Sequence, residues 1–248
     1  MLIDAHMHLG ECRVFDLNIT EQALMECLDR NGVDAAIVQP FPGAPDAARV
    51  HDRIAALAAR HPKRIFGLAS VNPHQAPDTY EREVRRCVEE LGFVGVKLHT
   101  LGHAVSPLAA DAQKVFEAAR ALHIPVMIHT GIGVPFAAPA LAILRAREYA
   151  EVPVVLAHAG YAIYTLDAYV AARECPNIFL EPSWSNARQI RFCLDKLGPD
   201  RVMFGSDLPV NTLVEVAKIR AMELDKAQEE GFTAGTALTV FGLAKRLG

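Results

Sequence analysis

The sequence predicts an α/β fold, a single-domain (β/α)₈ TIM barrel spanning residues 1–248. Short, mostly apolar segments alternate with helical segments eight times, at a spacing of roughly 25–33 residues. Strands of this kind are typical of a parallel sheet covered by helices. The alternative, an open doubly wound sheet, usually carries a glycine-rich phosphate loop after its first strand, and this chain has none there. No linker interrupts the alternation, so one domain is expected.

The first half of the chain supplies four strand–helix units. Residues 3–8 alternate apolar and polar side chains, which is the period of a strand whose two faces meet different surroundings. Thr20 and Gly32 are typical of the start and the end of a helix. The later strands are apolar runs closed by Pro, by Asn-Pro or by a long loop. The predicted ranges are a loop over 10–19, strands 35–39, 65–71 and 93–98, helices 20–31, 46–61 and 78–91, and a loop over 99–107.

The second half repeats this plan and adds a helical tail. Its strands are runs of aliphatic residues, and Gly198-Pro199 marks the end of one helix. The predicted strands are 125–129, 153–158, 177–181 and 201–207, and the predicted helices are 109–123, 138–149, 163–174 and 186–197. Two further helices, over 211–230 and 233–247, are expected to close the chain.

Composition excludes several classes of protein. The 248 residues are 51% hydrophobic and 22% charged, with a formal net charge of −4 and no basic stripe, so we expect no nucleic-acid partner. No apolar run approaches the roughly 18 residues of a membrane span, so no membrane partner is expected. The five cysteines are scattered and odd in number, which favours free thiols in a reducing compartment. A strand beginning at residue 2 leaves no room for a signal peptide, so the cytoplasm is the expected location.

Polar side chains gather at the predicted strand ends. His6 and His8 are two apart on a strand, so their imidazoles point the same way and can converge on one metal ion, although a chance pair is the alternative. In barrels the chemistry lies at the carboxyl ends of the strands. Nearly every predicted strand of this chain has a polar residue at or just after its carboxyl end. These residues are His6, His8, Asn72, Lys97, His99, His129, His158, Glu181 and Asp207. This sorting is the strongest functional signal in the sequence.

Five motifs in order carry a resemblance to a known family. They are Ile-Asp-Ala-His-Met-His, Val-Lys-Leu-His-Thr, Ile-His-Thr-Gly, Ala-His-Ala-Gly and Gly-Ser-Asp-Leu-Pro. Together they resemble the metal-dependent amidohydrolase superfamily. More closely, the chain resembles the compact branch that includes aminocarboxymuconate semialdehyde decarboxylase-like enzymes and small lactone hydrolases. The resemblance covers the whole chain but does not specify a reaction.

The resemblance implies a metal centre. His6, His8, His129 and Asp207 would bind a divalent metal, with zinc expected, and His158 would lie beside it as a catalytic group. Zinc lowers the pKa of bound water from about 15.7 toward 7. Asp207 could then accept the proton of the attacking water, and His158 could donate a hydrogen bond to the oxygen on which charge develops. One ion is expected, and a second would require a carbamylated Lys97.

Lys97 and Asp4 each leave alternatives open. Lys97 could bridge two metals, bind a substrate carboxylate or pair with Glu181. By strict alternation Asp4 shares the face of His6 and His8, where it could orient a ligand imidazole or else pair within the barrel floor.

Three further residues are candidates for substrate binding. His99 is expected to contact the substrate rather than a metal. Arg13 could bind a carboxylate bidentately, although a solvated loop residue is the alternative. Trp184, the single tryptophan, could form a wall of the pocket.

The leading functional hypothesis is a metal-dependent hydrolase that cleaves an ester, lactone or amide bond of a small molecule. The alternative is a metal-dependent lyase, a decarboxylase or hydratase, acting on a small unsaturated carboxylic acid, because one constellation supports both. A barrel nuclease and a barrel with a closed, purely structural metal site are the remaining alternatives. The short chain favours a compact substrate or a pocket completed by the second subunit of a homodimer.

Overall fold

Eight chain segments close into a barrel in the computed structural model, which describes residues 1–131 and 133–247. The strands are β1 Ile3–Cys12, β2 Leu17–Ile19, β3 Ala35–Pro40, β4 Ile65–Gly67, β5 Ala69–Ser70, β6 Val96–Leu98, β7 Val126–His129, β8 Val154–Ala157 and β9 Ile178–Glu181. One sheet has the order β2-β1-β3-β4 and the other the order β5-β6-β7-β8-β9. β4 and β5 are consecutive pieces of one barrel position, interrupted at Leu68, and all of the barrel pairings are parallel. The TIM-barrel prediction is confirmed.

The eighth barrel position is filled by an irregular segment, residues 201–207. It pairs with β9 through a bridge between Leu180 and Val202, and with β1 through a bridge between Met7 and Asp207. The Ala5 amide also donates to the Phe204 carbonyl at 3.0 Å. These few bonds close the ring and fix Asp207 beside the carboxyl end of β1.

The helices surround the barrel. Their bounds are α1 Glu21–Asn31, α2 Ala47–Arg60, α3 Pro77–Glu89, α4 Ala110–Leu122, α5 Ala142–Glu148, α6 Thr165–Glu174, α7 Ala187–Leu197, α8 Pro209–Ala221, α9 Lys226–Glu230, α10 Thr236–Val240 and α11 Ala244–Leu247. The predicted caps of α1 are present: Thr20 Oγ1 accepts from the Ala23 amide at 3.1 Å, and Gly32 is left-handed with φ 65°. No helix in the described ranges is both long and apolar enough to cross a bilayer.

Several predicted elements differ from the structure. The strand expected over 201–207 is the irregular segment described above, and the helix expected over 233–247 is divided into α10 and α11. The segment expected as a loop over 10–19 is a hairpin, because β1 runs on to Cys12 and pairs antiparallel with β2. The helix expected over 211–230 is two helices. Asp225 breaks it, since its side chain caps α9 by accepting from the Gln228 amide at 2.9 Å.

The core has two layers that follow the alternation of the strands. Outward side chains such as Val126 and Ile128 pack against the surrounding helices. Inward side chains such as Met127 and Val155 fill the barrel, and Phe241 in the C-terminal segment packs in the same inner cluster. On β7 and β9 the same inward parity continues to His129 and Glu181, so the pleat carries the buried polar groups into the barrel mouth.

A β-bulge changes the parity of β1. The pairing with β3 steps from Asp4 opposite Ala36 to Met7 opposite Val38, so β1 carries one extra residue. Ile3 therefore packs in the inner cluster, whereas Met7 packs in the outer one. The extra residue turns the two histidines that flank Met7 toward the site.

Asp4 consequently has a structural role. Of the two alternatives left open by the sequence, the contacts favour pairing within the barrel over orientation of a ligand imidazole. Its fully buried carboxylate accepts from the His6 amide at 3.0 Å, the Ser206 amide at 3.1 Å and Ser206 Oγ at 2.5 Å. No imidazole in the described chain donates to it. Asp4 joins the bulge of β1 to the eighth barrel segment.

We predict that Asp4→Ala lowers the free energy of unfolding by about 2–3 kcal/mol, because three buried donors lose their acceptor. Urea unfolding followed by circular dichroism measures this change. Glu151→Ala, which removes an exposed carboxylate, is the matched control and should change the free energy by no more than about 0.5 kcal/mol. Equal losses in the two variants would contradict the assignment.

Candidate active site

A cavity of about 570 Å³ opens at the carboxyl ends of the barrel strands. Six of the predicted site residues line it, together with several apolar and aromatic side chains. The lining residues are His8, Phe15, Leu17, Phe41, His99, Leu101, His129, Gly133, His158, Tyr161, Trp184, Asp207 and Leu208. Its volume lies in the range typical of small-molecule sites.

Three acceptor atoms converge at the base of this cavity. Asp207 Oδ1 lies 3.5 Å from His6 Nε2 and 3.3 Å from His8 Nε2. The three ligand atoms all lie within 4.8 Å of one another. His8 Nδ1 faces the Pro40 carbonyl oxygen at 3.3 Å. Because a carbonyl only accepts, that nitrogen carries the proton and leaves Nε2 as an acceptor.

Glu181 fixes the proton of the other histidine in this cluster. His6 Nδ1 donates to Glu181 Oε2 at 2.7 Å, so the neutral ring presents its bare Nε2 to the site. The carboxylate also accepts from the Ser183 amide at 2.7 Å and from Ser183 Oγ at 3.1 Å. Burial raises the pKa of Glu181 to about 7. The glycine at 205 makes room, since a Cβ there would lie 2.7 Å from the Glu181 carboxyl carbon.

The same carboxylate orients His158 through a serine. Ser183 Oγ gives its proton to Glu181, so it accepts from His158 Nδ1 at 2.8 Å. A neutral His158 therefore carries no proton on Nε2. In this tautomer the neutral ring is a proton acceptor, so it does not donate the hydrogen bond to a developing oxyanion that the sequence analysis predicts.

Burial keeps the histidines of the site neutral. It lowers the pKa of His6 to about 3, of His8 to about 4 and of His129 to about 3, with nearby Lys97 adding to the effect in each case. Neutral imidazoles and a carboxylate are the ligands that divalent transition metals prefer. The two unprotonated Nε2 atoms lie within 3.5 Å of Asp207 Oδ1, an arrangement that a cation between them would stabilise. The residues therefore fit a divalent metal ion.

His129 and His99 lie beside this cluster. Their rings stack at 4.4 Å, and His129 meets His158 edge-on at 4.8 Å. His129 is not part of the group of three at the 4.8 Å limit, but its buried Nδ1 has no hydrogen-bond partner in the described chain. Its role as a metal ligand stays a prediction. His99 Nδ1 accepts from the Gly102 amide at 3.0 Å, which leaves the proton of the neutral ring on Nε2.

Lys97 lies below the cavity floor. Its side chain is 1% exposed, and Nζ is 3.0 Å from His6 Nε2. Of the three alternatives for Lys97, pairing with Glu181 is absent, since no ion pair within 4.0 Å joins Lys97 to a carboxylate in the part of the chain that the structure describes. Burial lowers the pKa of Lys97 to about 8.

The two remaining substrate-binding candidates have different positions. Trp184 lines the cavity, as expected, and its Nε1 donates to Asp207 Oδ2 at 2.9 Å. Arg13 does not line it. Its side chain is 74% exposed and pairs with Glu11 at 3.3 Å. The β1–β2 hairpin, which was not predicted, holds Arg13 at the surface, as the alternative of a solvated residue implies. A role of Arg13 in substrate binding stays a prediction.

Sequence reasoning also missed several functional positions. Ser183 was not considered, and Glu181, although placed among the polar strand-end residues, was given no role beyond an ion pair with Lys97. The signal that could have found Ser183 is its spacing, since it follows Glu181 by two residues in an extended segment. Phe15 and Phe41, which line the cavity, lie in turns where no sequence pattern singles them out.

Comparison with known proteins places this site in context. The amidohydrolase family profile matches residues 3–243. The gamma-resorcylate decarboxylase of Polaromonas sp. is 24% identical over 249 residues, which cover 79% of this chain and 76% of that protein. The 2-amino-3-carboxymuconate-6-semialdehyde decarboxylase of Dictyostelium discoideum is 24% identical over 270 residues, covering 87% and 75%.

A solved structure extends the likeness to the fold. The dihydroxybenzoic acid decarboxylase from Polaromonas sp. JS666, with bound manganese and 2-nitroresorcinol, matches with a TM-score of 0.77 at 20% identity, covering 99% of this chain and 98% of that one. These relatives favour the lyase alternative over the hydrolase hypothesis, and they support a divalent metal without supporting zinc in particular. The match over nearly the whole chain shows that the protein belongs to the amidohydrolase family and is an enzyme of that superfamily.

Proposed function

We propose that the protein is a metal-dependent decarboxylase of a small, flat, unsaturated carboxylic acid. The observation that carries the proposal is the pairing of an aromatic-walled cavity with a proton-accepting His158 beside the three converging ligand atoms. Decarboxylases among the relatives support the same reaction class.

The cavity walls suit a planar substrate. The Tyr161 and Trp184 rings are stacked at 6.2 Å with an interplanar angle of 8°, and Phe15 and Phe41 also line the cavity. Flat aromatic side chains pack well against a conjugated ring or enoic acid. None of the lining residues is Lys or Arg, so a substrate carboxylate would be bound by the metal and by imidazole donors such as His99.

His6, His8 and Asp207 would hold the metal, with His129 as the predicted fourth ligand. When bound, a divalent ion would supply Lewis acidity toward the oxygens of the substrate. The donor set of imidazoles and one carboxylate suits manganese as well as zinc, so the ligands do not select between them.

The chain's own groups account for the movement of the proton. Decarboxylation replaces the C–CO₂⁻ bond by a C–H bond, so the carbon keeps the electron pair and takes up one proton as CO₂ leaves. His158 Nε2 can accept a proton from a substrate hydroxyl or water and pass it to that carbon. The Ser183–Glu181 pair would stabilise the transient imidazolium, because negative charge lies two hydrogen bonds away.

Product analysis tests the proposal. Manganese-loaded protein is incubated with hydroxybenzoic acids, enoic diacids, lactones and carboxylated amides, and released CO₂ is measured beside new acid groups. We expect CO₂ from at least one flat acid. Hydrolysis of a lactone or amide without CO₂ release from any acid would contradict the proposal and would favour the hydrolase hypothesis instead.

We predict that Asp207→Asn and His158→Asn separate metal binding from proton transfer. Asp207→Asn should lose both bound metal and activity. His158→Asn should keep its metal while kcat falls by about 10²–10⁴-fold, the usual contribution of a general acid–base group. Elemental analysis beside steady-state kinetics measures both. Full turnover by metal-free Asp207→Asn would show that the metal assignment is wrong.

We predict that Ser183→Ala lowers kcat by roughly tenfold with little change in KM, because His158 loses the acceptor that fixes its tautomer. Metal content should stay unchanged. Ser185→Ala is the matched control, since this buried serine contacts the backbone oxygen of His158 and not its ring. A Ser183→Ala enzyme as active as Ser185→Ala would contradict the relay.

A further inference from the structure

Lys97 is unusual among the buried groups of the site. Its ammonium is buried, yet its one hydrogen-bond partner in the described chain is His6 Nε2 at 3.0 Å, and no carboxylate lies within ion-pair distance. Buried lysines are normally paired with a carboxylate. The other half-buried lysines with described contacts follow that rule, since Lys114 pairs with Asp111 and Lys218 pairs with Glu215.

The position of the ring proton of His6 leaves Nε2 with one lone pair that can accept a hydrogen bond or bind a metal. Glu181 is an acceptor, so the proton of the ring is on Nδ1. Nε2 then has a single lone pair in the plane of the ring. In the structure an N–H of Lys97 takes that lone pair. A metal ion held by His6 Nε2, His8 Nε2 and Asp207 Oδ1 would need the same lone pair.

We propose that Lys97 competes with the metal for His6 Nε2 and thereby sets the metal affinity of the site. In the metal-free protein its ammonium supplies the positive charge that the converging acceptors require. Binding of the metal displaces it from His6. This role differs from the other two that the sequence left open for Lys97. The lysine does not bridge two metal ions, and it need not contact the substrate.

The competition also follows from charge. Two cations cannot share one lone pair, and an ammonium close to a divalent ion repels it strongly in a buried site where water screens little. Asp207 Oδ1 lies 3.5 Å from His6 Nε2, the atom that Lys97 Nζ contacts at 3.0 Å, so both cations would interact with the same carboxylate. Removing the lysine charge should therefore increase the metal affinity of the site for two reasons. It frees the lone pair of His6 Nε2, and it removes the repulsion between the two cations.

The test measures the Mn²⁺ dissociation constant of the full chain by competition with a fluorescent chelator. Lys97→Met keeps the length of the side chain without its donors, and Lys97→Gln keeps a polar end without the charge. We expect both variants to bind Mn²⁺ at least tenfold more tightly than the wild-type protein, and to release it more slowly into excess chelator. Lys114→Met, which removes a half-buried lysine on α4, is the matched control and should bind as the wild type does.

Each outcome decides the inference, which rests on the metal site of the proposed function. Unchanged or weaker binding in both folded Lys97 variants would overturn it, and weaker binding would mark Lys97 as a ligand. If the Lys97 variants bind Mn²⁺ and the wild-type protein binds none, the result would support the inference that Lys97 competes with the metal. No binding by any variant would overturn both the inference and the metal site. Tighter binding in variants whose parent releases no CO₂ from any acid would refute the decarboxylase proposal and leave this inference standing.

Discussion

The buried carboxylate of Glu181 determines where protons lie across the candidate active site. It accepts from His6 Nδ1 directly and from His158 Nδ1 through Ser183 Oγ. As a result both imidazoles present an unprotonated Nε2, one to the converging ligand atoms and one to the cavity. A single acidic group thus prepares a metal ligand and a proton acceptor, and neither imidazole can change tautomer without breaking a buried hydrogen bond.

The barrel makes this arrangement through local departures from regular structure. One extra residue in β1 turns His6 and His8 toward the site, and Asp4 stabilises that bulge by binding Ser206. Gly205 in the neighbouring segment leaves the space that Glu181 fills. The eighth barrel segment is attached by a few bonds only, and its irregular backbone, with φ 69° at Asp207, directs that carboxylate toward His8.

The barrel could be predicted from the sequence because strands and helices alternate with a regular spacing. The site residues could be predicted because polar side chains stand at the ends of apolar strands. Sequence reasoning placed His6, His8 and Asp207 together correctly. It failed where a tertiary contact overrides the local pattern. Strict alternation gave Asp4 the wrong face, because a bulge leaves no mark in residue order. Arg13 lies outside the cavity because the hairpin that holds it at the surface is formed by pairing between β1 and β2.

The proton positions around Glu181 can be measured directly by ¹⁵N NMR of histidine side chains in the metal-free protein at neutral pH. Two-bond and three-bond couplings distinguish a ring protonated on Nδ1 from one protonated on Nε2. We predict Nδ1–H tautomers for His6 and His158, and loss of this preference at His6 in Glu181→Gln. Nε2–H tautomers for both rings in the wild-type protein would contradict the account.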